Sequence, residues 1–374
     1  MTAAGPINST ELPQLLELAR EHHRARLTRL DKWEYLRFVN QFRSIPEGTA
    51  VFGATAIWGY PKIGRILQLA TGIKAQFEHP FWVEEKVDGY NVRIFCCGND
   101  VLALTRRGYI CPFTTDRLND LIDLQIFAEQ PSLVLCAEVA GPGNPYNEGS
   151  PPFIAEDIQL FVFDVMRQGQ PGCIPYPEKL RLLEAYGLPG VPQYGRYQTT
   201  ELEKLRALVL KLNQEGREGI VLKEDSPRDC RVKYVTGRTN ISDIRVSQGG
   251  IQQLPADYFM QRIVRLALFM EEHNLEPTPT IHQELGESLL IGLWDTIRQY
   301  RDQQKVYHTF RCRFRQRSNA ELMMRTMRRR LGKQGVRQRR LEKAGEFYLL
   351  EFDKVLPRTT DLLKHLLGGG VVFD

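Results

Sequence analysis

A lysine between two apolar segments is the residue of this sequence best suited to covalent chemistry. Lys86 lies in residues 84–93 and is followed by Val87, Asp88 and Gly89. An amine attacks a phosphate only when it is neutral, and an unperturbed lysine has a pKa of about 10.4. Partial burial and neighbouring cations lower that pKa, which makes a lysine nucleophilic. Gly89 would let the backbone turn close to a ligand.

The tetrapeptide KVDG alone does not establish a site, because matches of four residues occur by chance. The simpler explanation is a lysine at a strand edge that pairs with Asp88. Further charged or aromatic segments along the chain favour the functional interpretation. They are TRRG at 105–108, LCAEV at 135–139, FVFDV at 161–165, EGIVLK at 218–223 and RVKY at 231–234.

Together these segments supply what a nucleoside triphosphate needs from a protein. Cations bind phosphates, and a carboxylate binds ribose hydroxyls. An aromatic ring stacks on a base, and a second carboxylate holds a divalent metal. The sequence therefore predicts a nucleotide site built from successive strands.

The elements that would position these side chains are short β-rich runs between residues 77 and 245. Gly98-Asn99-Asp100 is typical of a hairpin turn between two of them. Helices are expected at about 115–128, 177–186 and 200–215, without regular βαβ alternation, which indicates a mainly antiparallel α+β domain. The predicted strands are 81–87, 91–97, 101–105, 133–139, 159–165, 219–222 and 231–235.

Both flanks have a helical pattern instead. In residues 11–43, apolar residues recur at helical spacing, and from Pro255 onward two apolar helices are predicted, with a last helix near 346–367. The N-terminal stripes are Leu12, Leu15, Leu16 and Ala19, and then Tyr35, Phe38, Val39 and Phe42.

Composition limits the class of protein. The 374 residues suffice for about two or three domains. No apolar run is long enough for a transmembrane helix, and no secretory signal is apparent. Seven cysteines without a CxxC pair argue against a disulfide framework or a zinc site, so we expect reduced thiols in a cytoplasm.

The net charge of +5 is distributed unevenly along the chain. Residues 311–343 contain thirteen Lys or Arg and two Asp or Glu. Such a basic block indicates either a solvated helical face or contact with a polyanion such as nucleic acid.

The ordered set KVDG, TRRG, CAEV, FVFDV, EGIVLK and RVKY resembles motifs I, Ia, III, IIIa, IV and V of the covalent nucleotidyltransferase superfamily, which includes polynucleotide ligases and mRNA capping enzymes. The resemblance covers about residues 81–235. The longer context EEKVDGYNVRI is most similar to the ATP-dependent RNA ligases first known from archaea, which are homodimers. It implies an α+β, mainly antiparallel-sheet nucleotidyltransferase (ATP-grasp-like ligase) core with an N-terminal extension and a helical C-terminal region.

The resemblance also divides the chain into expected domains. They are an N-terminal module over 1–75, an adenylyltransferase domain over 76–248, a helical dimerisation region over 249–310 and a basic helical C-terminal domain over 311–374.

The family motifs imply roles around the nucleotide. Lys86 would attack the α-phosphate of ATP and form lysyl-AMP. Glu85 would help to frame the adenine, largely through its backbone. Glu138 would accept hydrogen bonds from the ribose, and Phe163 would stack on the adenine.

The remaining motif residues would act on phosphates and metal. Arg106 would lie near the ribose and the substrate phosphate, with Arg107 as a helper, and Glu218 would work with Mg²⁺ or Mn²⁺. The other cations implied to neutralise phosphate are Lys223, Lys233 and Arg231, the last where the family often has lysine.

The implied reaction loads AMP on Lys86, moves it to a 5′-phosphate and displaces it with a 3′-hydroxyl. The expected partner is single-stranded RNA, or single-stranded DNA, with a 5′-phosphate, and no membrane is involved. DNA ligases and capping enzymes share the core motifs but usually append a β-rich OB-fold, which the helical pattern after 245 disfavours. A catalytically idle nucleic-acid-binding protein on the same fold is the alternative from another class.

Overall fold

The computed structural model describes residues 12–250 and 252–372. These residues form two compact units. The first unit contains residues 12–63, 89–140 and 158–191. The second contains residues 64–88, 141–157, 192–250 and 252–372.

The described residues form sixteen strands and eleven α-helices. The strands are β1 (Ala25–Leu30), β2 (Trp33–Phe38), β3 (Ala50–Phe52), β4 (Thr55–Ile57), β5 (Gly64–Arg65), β6 (Phe81–Glu85), β7 (Tyr90–Cys97), β8 (Asp100–Thr105), β9 (Leu133–Ala140), β10 (Gln159–Arg167), β11 (Gln193–Tyr197), β12 (Gly219–Glu224), β13 (Arg231–Val235), β14 (Tyr307–Phe314), β15 (Val336–Ala344) and β16 (Phe347–Val355). The helices are α1 (Leu12–Glu21), α2 (Leu69–Gln76), α3 (Pro112–Leu121), α4 (Gln125–Glu129), α5 (Tyr176–Ala185), α6 (Leu202–Gln214), α7 (Gly237–Ser247), α8 (Tyr258–Glu272), α9 (Pro279–Gln303), α10 (Arg317–Leu331) and α11 (Pro357–Leu367).

The first unit contains two antiparallel four-stranded sheets, ordered β1-β2-β3-β4 and β10-β9-β7-β8. The predicted hairpin joins β7 to β8, and Gly98 takes the positive φ of 63° that its turn requires. One hydrophobic core serves both sheets. Phe52 of the first sheet and Phe95 of the second, for example, lie 5.3 Å apart between ring centroids.

The helical prediction for residues 11–43 is wrong beyond α1. Residue 11 lies outside the described residues, α1 ends at Glu21, and Tyr35 and Phe38 belong to strand β2. Residues 35–38 of β2 are buried in succession, so both faces of the strand are covered there and its apolar residues do not alternate. Spacings of three and four residues then imitate a helix.

The second unit has a five-stranded sheet ordered β11-β6-β12-β13-β5. One face of this sheet packs into a core with α2 and α6 through alternate residues such as Phe81, Val83 and Leu222. The other face carries Trp82 and Glu84, since side chains alternate along a strand. This sheet therefore has one apolar and one charged face.

The helical C-terminal region is confirmed over α8 and α9, but residues 311–374 are not wholly helical. Strands β14, β16 and β15 form an antiparallel sheet there, and the helix expected at 346–367 begins only at Pro357. In β14, Phe310, Cys312 and Phe314 are buried while the residues between them are exposed. That period of two is the signature of a strand covered on one face.

The α+β, mainly antiparallel fold class is confirmed, as are all seven strands predicted between 81 and 235. The domain boundaries predicted at 75, 248 and 310 stay a prediction. None of the seven cysteines, all of which the structure describes, forms a disulfide. Among the residues that the structure describes, no helix combines the length and apolarity needed to cross a bilayer.

Candidate active site

Lys86 is held at the end of β6 by its neighbour strand. Its backbone N–H donates to the carbonyl of Gly219, 2.9 Å away. Its Nζ donates to Glu218 Oε1, in an ion pair whose side chains are 21% and 14% exposed. Because β12 runs antiparallel to β6, residues 132 positions apart in sequence meet at this point. The structure therefore brings the predicted nucleophile and the predicted metal-binding carboxylate together.

The side chain of Glu85 points into the protein and not toward Glu218, the carboxylate that pairs with Lys86. Its side chain is buried and accepts a hydrogen bond from Tyr194 Oη at 2.7 Å and from Arg217 Nη1 at 2.9 Å. Burial, followed by the hydrogen bond to Glu85, raises the pKa of Tyr194 above its usual value. The Arg217 guanidinium lies 3.9 Å from the ring centroid of Phe153. Tyr194, Arg217 and Phe153 were not among the predicted site residues.

A cavity of about 350 Å³ opens beside Lys86 within the second unit. Asp88 and Asp243 lie in its wall together with Glu218. Burial, and secondarily the charge of Glu218, raises the pKa of Asp88 to about 6. Burial likewise raises the pKa of Asp243. Arg217, Arg238 and Arg245 line the same cavity, so its wall offers both carboxylates and cations to a ligand. A cationic ligand beside Asp88, Asp243 and Glu218 would relieve the repulsion among these three carboxylates.

Glu218 also has a feature that suits a metal ion. Its Oε2 is buried and has no hydrogen-bond partner among the described residues. Within the same part of the chain, no group of three or more His, Cys, Asp or Glu side chains has metal-binding geometry. One available carboxylate oxygen fits a cation such as Mg²⁺, which commonly takes one or two carboxylates plus substrate phosphates.

The predicted cations of β12 and β13 lie on the charged face of the five-stranded sheet. Lys223 pairs with Glu84 at 2.6 Å, and both side chains are almost fully buried. Arg231 Nε donates to Asp229 Oδ1 at 2.8 Å, and Lys233 is partly exposed. Lys223 is therefore neutralised by a protein carboxylate, which the sequence did not suggest.

Arg65 was also not among the predicted site residues. On β5 it lies opposite Lys233 of β13 in the register of the parallel strand pair. Burial is the largest cause that lowers its pKa, while Glu218 raises it. No motif marks Arg65, because β5 is a strand of two residues far from the other segments.

Glu138 and Phe163 belong to the first unit. Glu138 on β9 is paired with Asn91 and Phe161 across the sheet. Phe163 occupies an irregularity of β10, where the pairing register shifts between Val162 and Asp164. Its ring meets that of Tyr60 edge-on at 5.1 Å. A β-bulge re-aims a side chain, and such bulges are common beside active sites.

Arg106 and Arg107 follow β8 in an exposed turn. Gly108 closes the turn with a φ of 75°. A Cβ at Gly48 would lie 2.1 Å from the carbonyl oxygen of Arg106, so only glycine allows this approach. Buried Arg93 donates to the carbonyls of Gly48 at 2.8 Å and Thr105 at 3.0 Å. The turn that carries both arginines is thereby fixed at its base.

The structure distributes the predicted site residues over both units. The second unit contains Glu85, Lys86, Glu218, Lys223, Arg231 and Lys233. The first unit contains Arg106, Arg107, Glu138 and Phe163. Asp88 is part of KVDG but was given no site role, and Arg217 was missed although it directly precedes the motif residue Glu218.

Two family models match the chain. A model described as RNA ligase matches residues 79–235, and one described as the C-terminal region of the ligase Pab1020 matches residues 250–370. A protein of Methanocaldococcus jannaschii, the uncharacterized protein MJ0414, is 32% identical over 292 residues, which are 75% of this chain and 73% of that protein.

Solved structures are similar over the whole length. A chain from Aquifex aeolicus, provisionally named an ATP-dependent DNA ligase, is 49% identical with a TM-score of 0.92, covering 96% of this chain and 100% of that one. An archaeal ATP-dependent RNA ligase is 27% identical with a TM-score of 0.86, covering 98% and 100%. With both family models and the full-length likeness in agreement, the protein is a ligase and belongs to the archaeal-type ATP-dependent RNA ligase family.

Proposed function

We propose that this protein joins 5′-phosphate and 3′-hydroxyl ends of single-stranded RNA, using ATP and carrying AMP on Lys86. The observation that supports this most directly is the partly buried amine of Lys86, hydrogen-bonded to Glu218 in the wall of a cavity of about 350 Å³. A nucleophile held beside a proton acceptor is the arrangement that covalent catalysis needs.

The chemistry of loading follows from that contact. Nζ of Lys86 gives a proton to Glu218 Oε1, and the neutral amine attacks the α-phosphate of ATP. A nitrogen–phosphorus bond forms while the bond to the β-phosphate oxygen breaks, and pyrophosphate leaves with the bonding electrons. The attacking nitrogen gives up one further proton, which the leaving pyrophosphate takes. Positioning and charge neutralisation dominate such phosphoryl transfers.

Two transfers complete the reaction. A 5′-phosphate oxygen of the RNA attacks the phosphorus of lysyl-AMP, which restores the amine and forms a 5′–5′ pyrophosphate end. The 3′-hydroxyl then attacks the RNA phosphate, and AMP leaves as a phosphodiester forms. Lys233 and Arg231 are the cations that we expect to neutralise phosphate, while the bond of Lys223 to Glu84 makes its phosphate role the weakest of the three.

A divalent ion is part of the proposal. Mg²⁺ or Mn²⁺ held by Glu218 Oε2 would supply neutralisation of the phosphate charge. The buried oxygen without a hydrogen-bond partner supports this assignment.

Residues of the first unit complete the proposed nucleotide contacts. Phe163 would stack on the adenine, Glu138 would bind the ribose, and Arg106 with Arg107 would bind phosphate. The bulge at Phe163 and the exposed turn of the two arginines are consistent with groups presented to a ligand.

The first test is labelling of the protein by ATP radiolabelled at the α-phosphate. Lys86→Ala should give no AMP-labelled protein while the fold is retained, whereas Lys74→Ala, an exposed lysine of α2, should label normally. A folded Lys86→Ala protein that still labels would refute the assignment.

The second test distinguishes the polynucleotide. The similar proteins are named for RNA and, in one case, for DNA ligation. Incubation with 5′-phosphorylated single-stranded RNA or DNA should give the adenylated end and the joined product with RNA. Labelling from GTP instead of ATP would favour a capping enzyme, and absence of any lysyl-AMP would favour an idle nucleic-acid-binding protein.

We also propose a homodimer in the cytoplasm. Helices α8 and α9 expose large apolar side chains, which single-chain packing leaves in water. No disulfide joins any of the seven cysteines, which agrees with a reducing compartment.

A further inference from the structure

The exposed face of the C-terminal sheet carries a group of arginines that the proposed chemistry does not use. Paired residues of an antiparallel sheet share a face, so the register aligns the arginines of β14 and β15 on either side of β16. They are Arg311, Arg313, Arg337, Arg339 and Arg340.

Two carboxylates of β16 hold three of these guanidiniums in place, whereas Arg313 lies 3.9 Å from Asp157 and Arg340 lies 2.6 Å from Glu342. Asp353, whose side chain is fully buried, accepts from Arg337 Nη2 at 2.6 Å and lies 2.7 Å from Arg339 Nε. Glu351 Oε2 accepts from Arg311 Nε at 3.1 Å. Arg337 donates to Asp353 through two nitrogens, and Arg339 contacts both carboxylates. Each arginine has five N–H donors, so these bonds still leave donors for a ligand. The carboxylates thus orient the guanidiniums and still leave N–H donors for a ligand.

A cleft of about 340 Å³ lies at one end of the same sheet. It is lined by Lys305, Arg328, Lys333 and Arg337 around Tyr307, and none of its described lining residues is a carboxylate. Within residues 12–250 and 252–372, the first three form no ion pair. The dipole at the C-terminus of α10 favours Arg328 but does not account for Lys305 or Lys333, which lie outside that helix.

We propose that the arginine face and the cleft, together called the basic surface, bind the backbone of the single-stranded polynucleotide that the enzyme joins. This inference rests on the proposed function. A lone phosphate could not neutralise charges spread over two strands and a cleft, whereas a chain of phosphates can. Tyr307, 5.4 Å and 5.1 Å from the guanidiniums of Arg337 and Arg339, adds a surface on which bases stack.

The basic surface is connected to the Lys86 cavity inside the second unit. On the opposite face of the sheet, His308 and Lys354 lie 3.9 Å and 3.5 Å from Glu148. Glu148 belongs to the segment 141–157, whose residues 150–153 line the cavity. The sheet that carries the basic surface is therefore joined through its other face to the segment that borders the nucleophile.

The test removes the three cleft cations that lack an ion pair, in the full chain. The variant Lys305→Ala/Arg328→Ala/Lys333→Ala should bind a 5′-phosphorylated single-stranded RNA of about 20 nucleotides roughly tenfold more weakly at low salt. The slope of log affinity against log salt should fall by about 2, because each lost phosphate contact contributes about 0.7 for a single strand. Fluorescence anisotropy across a salt series measures both quantities.

The matched control removes three exposed cations outside the cleft, as Lys74→Ala/Arg358→Ala/Lys364→Ala, and should keep the wild-type slope. The charge-conserving variant Lys305→Arg/Arg328→Lys/Lys333→Arg should also keep it. An unchanged slope in the cleft variant, or an equal loss in the control, overturns the proposal. The proposal is also overturned if the wild-type protein binds phosphatidylserine vesicles, the cleft variant loses that binding, and the salt slope of RNA binding is unchanged in the cleft variant.

AMP labelling separates this inference from the proposed function. The cleft variant should label from ATP alone as wild type does, since no cleft residue lines the Lys86 cavity. If the wild-type protein is not labelled by ATP, the proposed function is wrong. The salt dependence of RNA binding would still test whether the basic surface binds the polynucleotide.

Discussion

The two carboxylate oxygens of Glu218 have different hydrogen-bond environments. Oε1 binds Lys86, and Oε2 is buried without a hydrogen-bond partner among the described residues. A buried polar atom left in this state costs about 1–3 kcal/mol. The cost is recovered when a cation binds, so the carboxylate is poised for a ligand rather than for stability alone.

Glu218→Gln should therefore lower AMP labelling by about 100-fold or more, because a neutral amide neither takes a proton from Lys86 nor holds a divalent ion. Its free energy of unfolding should change little or increase. Labelling at several Mg²⁺ and Mn²⁺ concentrations measures the first effect, and urea denaturation measures the second. Glu215→Gln, three residues away and exposed, is the control. Metal-dependent labelling that survives in Glu218→Gln would contradict the assigned role.

Asp88 makes stability depend on pH. Its pKa in the folded protein is about 6, against 3.8 ordinarily, so the folded state holds the proton more tightly than the unfolded chain. Stability therefore falls as the pH rises from about 4 to about 6, by about 3 kcal/mol at most. Asp88→Asn should abolish this fall and raise the Tm relative to wild type at pH 8 more than at pH 4. Thermal melts at both pH values measure the difference, and an equal difference at both would contradict the prediction.

At the scale of residues, side-chain contacts could not be predicted from the sequence where the partners lie far apart along the chain. Lys86 and Glu218 could be proposed from their motifs. The bonds of Glu85 to Tyr194 and Arg217 could not, because those residues lie 109 and 132 positions away and carry no motif of their own. The role of the Glu85 backbone in framing adenine stays a prediction.

At the scale of elements, period and turn signals predicted seven of the strands between 81 and 235 but not β11, whose residues are all partly or fully exposed. The same alternation is present in β14, where Phe310 and Cys312 are buried and Arg311 is exposed. The many basic residues of this segment masked the period of two in the prediction, which therefore assigned a helix. Strand β2 is the opposite case, since burial on both faces removed the alternation that identifies a strand.

Arg93 connects several elements of the first unit. It is fully buried and donates to the carbonyls of Gly48, Trp58 and Thr105, and it thereby joins both ends of the β3-β4 hairpin to the turn after β8. Burial lowers its pKa to about 10, well above neutrality, so it remains charged. The carbonyls replace the water that the cation loses.

Arg93→Met should destabilise the protein by about 3–5 kcal/mol, since the carbonyls lose a buried charged donor. Arg93→Lys should lose less, because one ammonium reaches fewer carbonyls. Urea denaturation followed by circular dichroism measures the difference, with exposed Arg26→Met as the control. A loss below about 1 kcal/mol for Arg93→Met would mean that the carbonyls find other donors.

At the scale of the molecule, the chain passes repeatedly between its two units. One crossing falls between Asp88 and Gly89, inside the KVDG segment. A Cβ at Gly89 would lie 2.4 Å from the carbonyl oxygen of Val139, so this crossing requires glycine. Local periodicity reports on elements and not on which elements share a core, so the discontinuous units could not be predicted from the sequence.

The proposed homodimer depends on apolar surface that the single chain leaves exposed. On α8, Met260 and Val264 are 61% and 47% exposed, and on α9, Leu290, Ile291 and Trp294 are 69%, 51% and 58% exposed. Within each helix these residues are neighbours in position or one turn apart, so they form continuous apolar stripes. Burying one such side chain contributes about 1.5–3 kcal/mol, which is enough to hold two chains together when several are buried.

Leu290→Glu/Trp294→Glu should convert a dimer into a monomer of 43.1 kDa, because each chain would then have to bury two charges in the interface. Light scattering after size exclusion measures the mass directly. Leu67→Glu, at a side chain 46% exposed in the second unit, gives a matched control that should remain dimeric. A wild-type mass of one chain would remove the dimer proposal. A doubly charged variant that stays dimeric would instead move the interface away from α9.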